Sequence, residues 1–334
     1  MKFACMRRLA LCALAALPLA AHSETGEVRI AWQFGVAYLP LMVIKNKALI
    51  EKHAQAAGVA PLKVTWATFS SGADMNTALL ADQLDLASGG IGPVLNIWAR
   101  TQGNYNVKGV ASLGSLPLYL NTNNPAVKSI ADFTGKDKIA LPAVKVSIQA
   151  VLLQMAAAQV FGETNYSVLD SLTVSMSHPQ ATAALLSGGT EITANFSAAP
   201  FQNQQLQDPK VRRVLSSYDV TGGPSTLNSL YGSAKFREQN PKVYGAVMAA
   251  LREAMALINR DKQAAARIYL EEEKSKLSPE FVLQVISDPA VQFTVAPQGF
   301  MKFAEFMVRT GALKTKPASW KDVFFPEVHG ENGS

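Results

Sequence analysis

The sequence predicts two α/β lobes joined by two chain crossings, with a cleft between the lobes. Three observations carry this. Strand-like and helix-like runs alternate from Val28 to about residue 217, the mark of mostly parallel sheets covered by helices. Two Gly-, Pro- or Asn-rich breaks, near 117–122 and 218–226, interrupt that rhythm. Strand exits carry small or polar residues, and in such folds the carboxyl ends of strands face a ligand crevice.

The chain has 334 residues, 49% hydrophobic and 17% charged, enough for two domains with cores of their own. Residues 1–23 stand apart. Lys2, Arg7 and Arg8 precede a short apolar run, Leu9–Ala20, and small residues follow at Ala21 and Ser23. This reads as a signal peptide cleaved near Ser23. Its removal leaves 28 basic against 25 acidic residues, a net charge of +3, which gives no reason to expect nucleic-acid binding. Cys5 and Cys12 leave with it, so the mature chain offers no disulfide, thiol nucleophile or cysteine metal ligand. That suits an oxidising periplasm.

Val28–Trp32 is the first predicted strand, with Gln33-Phe34-Gly35 as its exit turn. Tyr38–Lys47 follows as a helix and Lys63–Ala67 as the second strand. Phe69 closes that strand, and Ser70-Ser71-Gly72 starts a helix, since serine is a good N-cap. Leu84–Ala87 is a strand that breaks at Ser88–Pro93, a turn that holds Gly90 and Ile91, and Leu95–Arg100 continues as a helix. Val107–Ser112 is a strand, and Leu118–Pro125 is the first crossing.

The second lobe repeats the theme. It has a short helix at 129–133, strands at 138–141, 172–176, 192–196 and 211–215, and helices at 148–161 and 179–186. Lys145-Val146-Ser147 precedes the first long helix, with Ser147 as its cap, and Gly162 stops it. After the second crossing, Asn228–Tyr231 pairs as a strand and the rest is nearly all helical. Trp320 and Phe324-Phe325 are expected on the surface. The expected division is 1–23 signal peptide, 24–118 with 222–334 as the first lobe, and 119–221 as the second.

Catalytic signatures are missing. There is no GxSxG elbow, Walker A sequence or HExxH. His53, His178 and His329 have no metal-ligand spacing; His178, at a strand exit, either lines the cleft or is structural. Asp82/Asp85 and Glu271–Glu273 read as solvated helix faces. Phe34, Phe69 and Phe196 sit at three separate strand ends, where they either pack in the cores or line one pocket. Helix N-termini favour negative charge, and Lys145 adds a cation near one of them.

The residues VRIAWQ at 28–33, TALLADQLDLASGGIGPVL at 77–95, SIADFTGKDKIAL at 129–141 and FREQNPKVYGAVMAAL at 236–251 carry a resemblance. In order and spacing they resemble the periplasmic substrate-binding proteins of ABC importers, in the branch for nitrate, sulfonates, taurine and thiamine-pyrimidine precursors. The resemblance implies a two-lobed, type II periplasmic-binding-protein fold. It would close on a small, anionic organic solute and deliver it to ABC permease and ATPase subunits at the inner membrane. It further implies a monomer without cofactor or metal. Ligand-facing positions would be Gln33, Phe34, Phe69, Ser70, Ser71, Gly72, Gly90, Ile91, Lys145, Val146, Ser147, Asn195 and Phe196. Sulfonate-binding relatives have a Trp–acid–Pro–Phe run where Ala198-Ala199-Pro200-Phe201 stands here. An enzyme on the same fold and a solute-sensing subunit are the other readings. The cysteine-rich motif of the pyrimidine synthases is missing from the mature chain.

Overall fold

The computed structural model describes residues 24–59 and 61–334. The signal peptide expected over 1–23, with both cysteines, lies outside the described residues. Ten strands form two five-stranded sheets. The first holds β1 (Glu27–Trp32), β2 (Lys63–Thr68), β3 (Leu86–Gly90), β4 (Lys108–Ser115) and β10 (Thr226–Gly232), in the order β2-β1-β3-β10-β4. The second holds β5 (Tyr119–Thr122), β6 (Ile139–Leu141), β7 (Thr173–Ser175), β8 (Ala194–Ser197) and β9 (Arg212–Ser216), in the order β7-β6-β8-β5-β9. The two orders match. Three parallel strands are followed by one antiparallel strand and an edge. In each sheet the antiparallel strand is the one that follows a crossing.

Parallel strands buried on both faces read as continuous apolar or small-residue runs. β3 is such a strand, buried along its whole length, and the antiparallel β10 beside it is buried throughout as well. Helices Leu39–Asn46, Leu49–Ala56 and Pro241–Arg260 pack together on the first sheet. The long helix keeps Val243, Val247, Leu251 and Ile258 on its buried face, at the spacing that the sequence shows.

The first crossing is shorter than the sequence suggests, and the second lies within one residue of its expected bounds. The first spans residues 116–118, because Asn121 and Thr122 belong to β5. Both look like turn residues, yet both are fully buried with partners: Asn121 Nδ2 donates to Gln202 O and Gln205 Oε1, and Thr122 Oγ1 donates to Thr193 O. The second crossing spans 217–225. The two bind each other, Ser217 N to Leu118 O at 2.8 Å and Leu118 N to Ser217 Oγ at 2.9 Å.

The C-terminal aromatics lie inside the protein, not on its surface. Phe324 is fully buried and bridges alongside Gly109 of β4, with the Phe300 ring edge-on at 4.8 Å. Only a glycine fits there, since a Cβ at 109 would lie 2.3 Å from the Phe324 ring.

Candidate functional site

The carboxyl ends of the parallel strands in the two sheets meet across a cavity of about 20 Å3. The first lobe contributes Gln33 and Phe34 from the β1 exit, Gly72, and Gly90 from the end of β3. Leu227 and Asn228 come from β10. The second lobe contributes Pro142, Ser147, Gln149, His178 and Ala198. Across the cleft, Val36 N donates to Ala199 O at 3.0 Å.

Four helices begin at this cavity. Helix Gly72–Leu80 is capped by Ser71, whose Oγ accepts Asp74 N at 3.2 Å. Helix Ile91–Arg100 starts from Gly90, which has no side chain to offer. Helix Ile148–Phe161 is capped by Ser147, whose Oγ accepts Ala150 N at 3.2 Å. Helix His178–Ser187 starts at His178 itself. Helix N-termini carry free N–H groups and partial positive charge, so their convergence favours an anion. No charged side chain is among the residues that line the cavity.

His178 is buried, and burial pushes its pKa down to about 4, so the ring is neutral. Its Nε2 lies 3.4 Å from Gln149 Nε2 and its Nδ1 3.4 Å from Ser197 Oγ. With the Gln149 amide as donor, Nε2 is the bare nitrogen and Nδ1–H donates to Ser197. The ring stacks on Phe201 at 5.9 Å. Opposite, Gln33 Nε2 donates to Tyr38 Oη at 2.7 Å, and burial holds that phenol well above its ordinary pKa.

Of the expected ligand-facing residues, the structure brings Gln33, Phe34, Gly72, Gly90 and Ser147 together around the cavity. The rest lie elsewhere. Ser71 sits behind Gly72, bonded to Asp74 Oδ2 at 2.8 Å. Ser70 is exposed, and Phe69 is half-buried against the first lobe's core. Ile91 is buried in that core. Lys145 is exposed, in a left-handed turn at φ 65, so its charge stays outside the cavity, as does the half-buried Val146. Asn195 and Phe196 are fully buried. Asn195 donates to Ala140 O and accepts from Gln205 Nε2, holding the second sheet together, and Phe196 is core.

Tyr38, Gln149 and Asn228 line the cavity without being expected there. Gln149 has a local signal, since it is the second residue of a capped helix. Asn228 has none, because it reaches the site through the pairing of β10 with β3. The acidic run also departs from a solvated face. Glu271 and Glu272 take the Asn46 amide, and Glu272 pairs with Lys45 at 2.6 Å. Glu273 turns inward, and burial raises its carboxyl to about 7.

Among the described residues no His/Cys/Asp/Glu group is arranged for a metal ion, and no helix is long and apolar enough to cross a membrane. The fold matches solved structures of periplasmic binding proteins. The alkanesulfonate-binding protein of Xanthomonas axonopodis pv. citri, bound to MOPS, is 21% identical over 90% of this chain and 96% of its own, with a TM-score of 0.67. The aliphatic sulphonate-binding protein of Escherichia coli is 18% identical over 91% and 99%, with a TM-score of 0.64. The nitrate-binding protein of Synechocystis is 15% identical over 90% and 84%, with a TM-score of 0.68. No curated protein matches the chain. A family model matches residues 21–270, and the chain therefore belongs to the NMT1-like family, on the two-lobed periplasmic-binding-protein fold.

Proposed function

We propose that this protein is a periplasmic solute-binding protein that captures a small organic anion between its lobes and delivers it to an ABC permease. One observation carries the reading: four helix N-termini converge on a cavity whose lining has no charged side chain. Backbone N–H groups and partial charges attract an anion there, and a bound solute stays releasable because no formal charge holds it. The fold's solved neighbours include proteins that bind sulfonates and nitrate.

The cavity's 20 Å3 is of the order of a single water. A larger solute enters only when the lobes separate, and the paired crossings at 116–118 and 217–225 are where the chain bends. Capture and release are then one motion. Within the cavity, His178 titrates near 4, too low for a general base, which needs a pKa near the working pH.

A thermal-shift screen with sulfonates, nitrate, carboxylates and pyrimidines tests the proposal. Ligand at ~100 times its Kd adds ~2.7 kcal/mol to the folded state, a shift of several degrees. An anion that stabilises the protein and is recovered unchanged supports capture. Stabilisation by neutral pyrimidines alone, or conversion of the solute, overturns it.

A further inference from the structure

The turn that leaves β1 uses two neighbouring N–H groups in two directions. Val36 N donates across the cleft to Ala199 O at 3.0 Å. Gly35 N donates within the first lobe, to Glu273 Oε1 at 3.4 Å. The lobes approach closely here, since a Cβ at Gly35 would lie 2.8 Å from Ala199 O. Glu273 therefore stands directly behind a contact that joins the lobes.

Glu273 also lines a pocket of about 320 Å3 at the mouth of the cleft, and both lobes build it. Phe34 and Tyr269 come from the first lobe, and Pro179, Phe201 and Gln204 from the second. Nothing around the carboxylate neutralises it. Among the described residues it has no ion pair within 4.0 Å. Lys45 is engaged with Glu272, and Lys274 and Lys276 are exposed and make no pair with Glu273. The phenols of Tyr38 and Tyr269 are kept neutral by burial. From the second lobe come only uncharged groups: Pro179, Gln204, and Phe201 with the neutral His178 ring stacked on it. Withdrawal from water without a cation disfavours the ionised form and raises the carboxyl to about 7. When the lobes separate, Pro179, Phe201 and Gln204 leave and water returns.

We infer that lobe closure takes up a proton at Glu273, so that mild acid draws the cleft shut. This builds on the lobe motion in the reading above and on no particular solute. The closed form holds the proton below about pH 7, whereas a carboxylate returned to water holds it only nearer 4.5. Between those values closure consumes a proton, and each unit of falling pH favours the closed form by up to ~10-fold. His178 pulls the other way. It lines the inner cavity, so opening wets it, and a wetted imidazole gains near pH 6.5 the proton that the buried ring refuses down to about 4. The effect of Glu273 is therefore read against a variant that keeps His178.

Single-molecule energy transfer on the purified, solute-free protein tests this. Both native cysteines lie within residues 1–23, so one introduced cysteine in each lobe can carry the dyes. Glu273→Gln keeps an acceptor for the Gly35 N–H but has no proton to gain. From about pH 8 to about pH 5.5, the closed-to-open ratio of the wild type, divided by that of E273Q, should rise about threefold or more. Two lobe arrangements with parallel pH profiles in the two proteins overturn the inference and leave the lobe motion standing. One arrangement at every pH overturns both. Should E273Q fail to fold, Gln204→Lys decides. It brings a cation from the second lobe into the pocket, so the ionised carboxylate should now favour closure, and the closed fraction should fall over the range in which that of the wild type rises. A Q204K profile that rises like the wild type's overturns the inference.

Discussion

Gly90 and Ile148 touch across the cleft: a Cβ built on Gly90 would lie 2.7 Å from Ile148 Cβ. One is the last residue of β3 and the other the first residue of the helix that Ser147 caps. The lobes close helix start against strand end, and the fit leaves no room for one methyl group. Gly90 has φ −67, which alanine adopts freely. Gly90→Ala should therefore leave the open protein nearly as stable as wild type while blocking closure. Affinity for any anion that the wild type binds should fall by about tenfold or more. Titration, with small-angle scattering to follow compaction, checks it; unchanged affinity and compaction would show that closure does not use this contact.

Ser147 separates capping from charge. Ser147→Ala removes the acceptor for Ala150 N and should cost about 1 kcal/mol of stability. Ser147→Asp keeps a cap but sets a negative charge at the cavity wall, so it should hold stability and lose anion binding. Urea melts paired with titrations distinguish the two. Equal anion affinity in S147D and wild type would remove Ser147 from the site.

His178 and Glu273 act on stability with opposite signs. Below pH 6.5 the unfolded chain protonates His178, while the folded chain holds it neutral down to about 4. Stability from this group is thus lost as pH falls through that window, by about 3 kcal/mol at ~1.4 kcal/mol per unit. Glu273 takes its proton in the folded chain near 7 and in the unfolded chain near 4.5, so its contribution rises as pH falls between them. Relative to wild type, His178→Gln should gain stability from about pH 6.5 to about pH 4, and Glu273→Gln should lose it from about pH 7 to about pH 4.5. Denaturant midpoints across pH give both difference curves; parallel curves would mean that neither group titrates as described.

Gly109→Ala forces a methyl group into the Phe324 ring and should destabilise the protein by about 1–3 kcal/mol. Adding Phe324→Ala should relieve part of that, so the double variant costs less than the sum of the singles. Strict additivity in denaturant melts would show that the ring moves aside.

The sequence disclosed features that are local. Helix Ile148–Phe161 has its bounds written in the chain, with a Ser147 cap and a Gly162 stop at φ 93. The start of helix Leu49–Ala56 leaves no mark in the sequence, because Ala48, at φ 46, turns the chain straight from one helix into the next without a Gly or Pro. Phe324 looked superficial because its seat is made by Gly109, more than two hundred residues earlier. The same limit governs the site. Turns at Gln33-Phe34, Gly72, Gly90 and Ser147 mark themselves by residue type, and they do meet. Lys145 and Phe196 carry equally inviting chemistry, but side-chain direction depends on a left-handed turn in one case and on strand burial in the other. Glu273 hid in an acidic run whose members diverge only once the Gly35 turn is in place.

The placement of β10 has a temporal consequence. β10 lies between β3 and β4, yet more than a hundred residues separate it from β4 along the chain. All five strands of the second sheet lie within that interval, between Tyr119 and Ser216. A chain that emerges from its N-terminus can thus complete the second sheet while the first still has an open slot with two unpaired edges. The lobe that starts first finishes last. Until Thr226–Gly232 arrives, β3 and β4 are exposed to pairing with other chains, the regime in which folding is slow and an escort that covers bare strands is of most use.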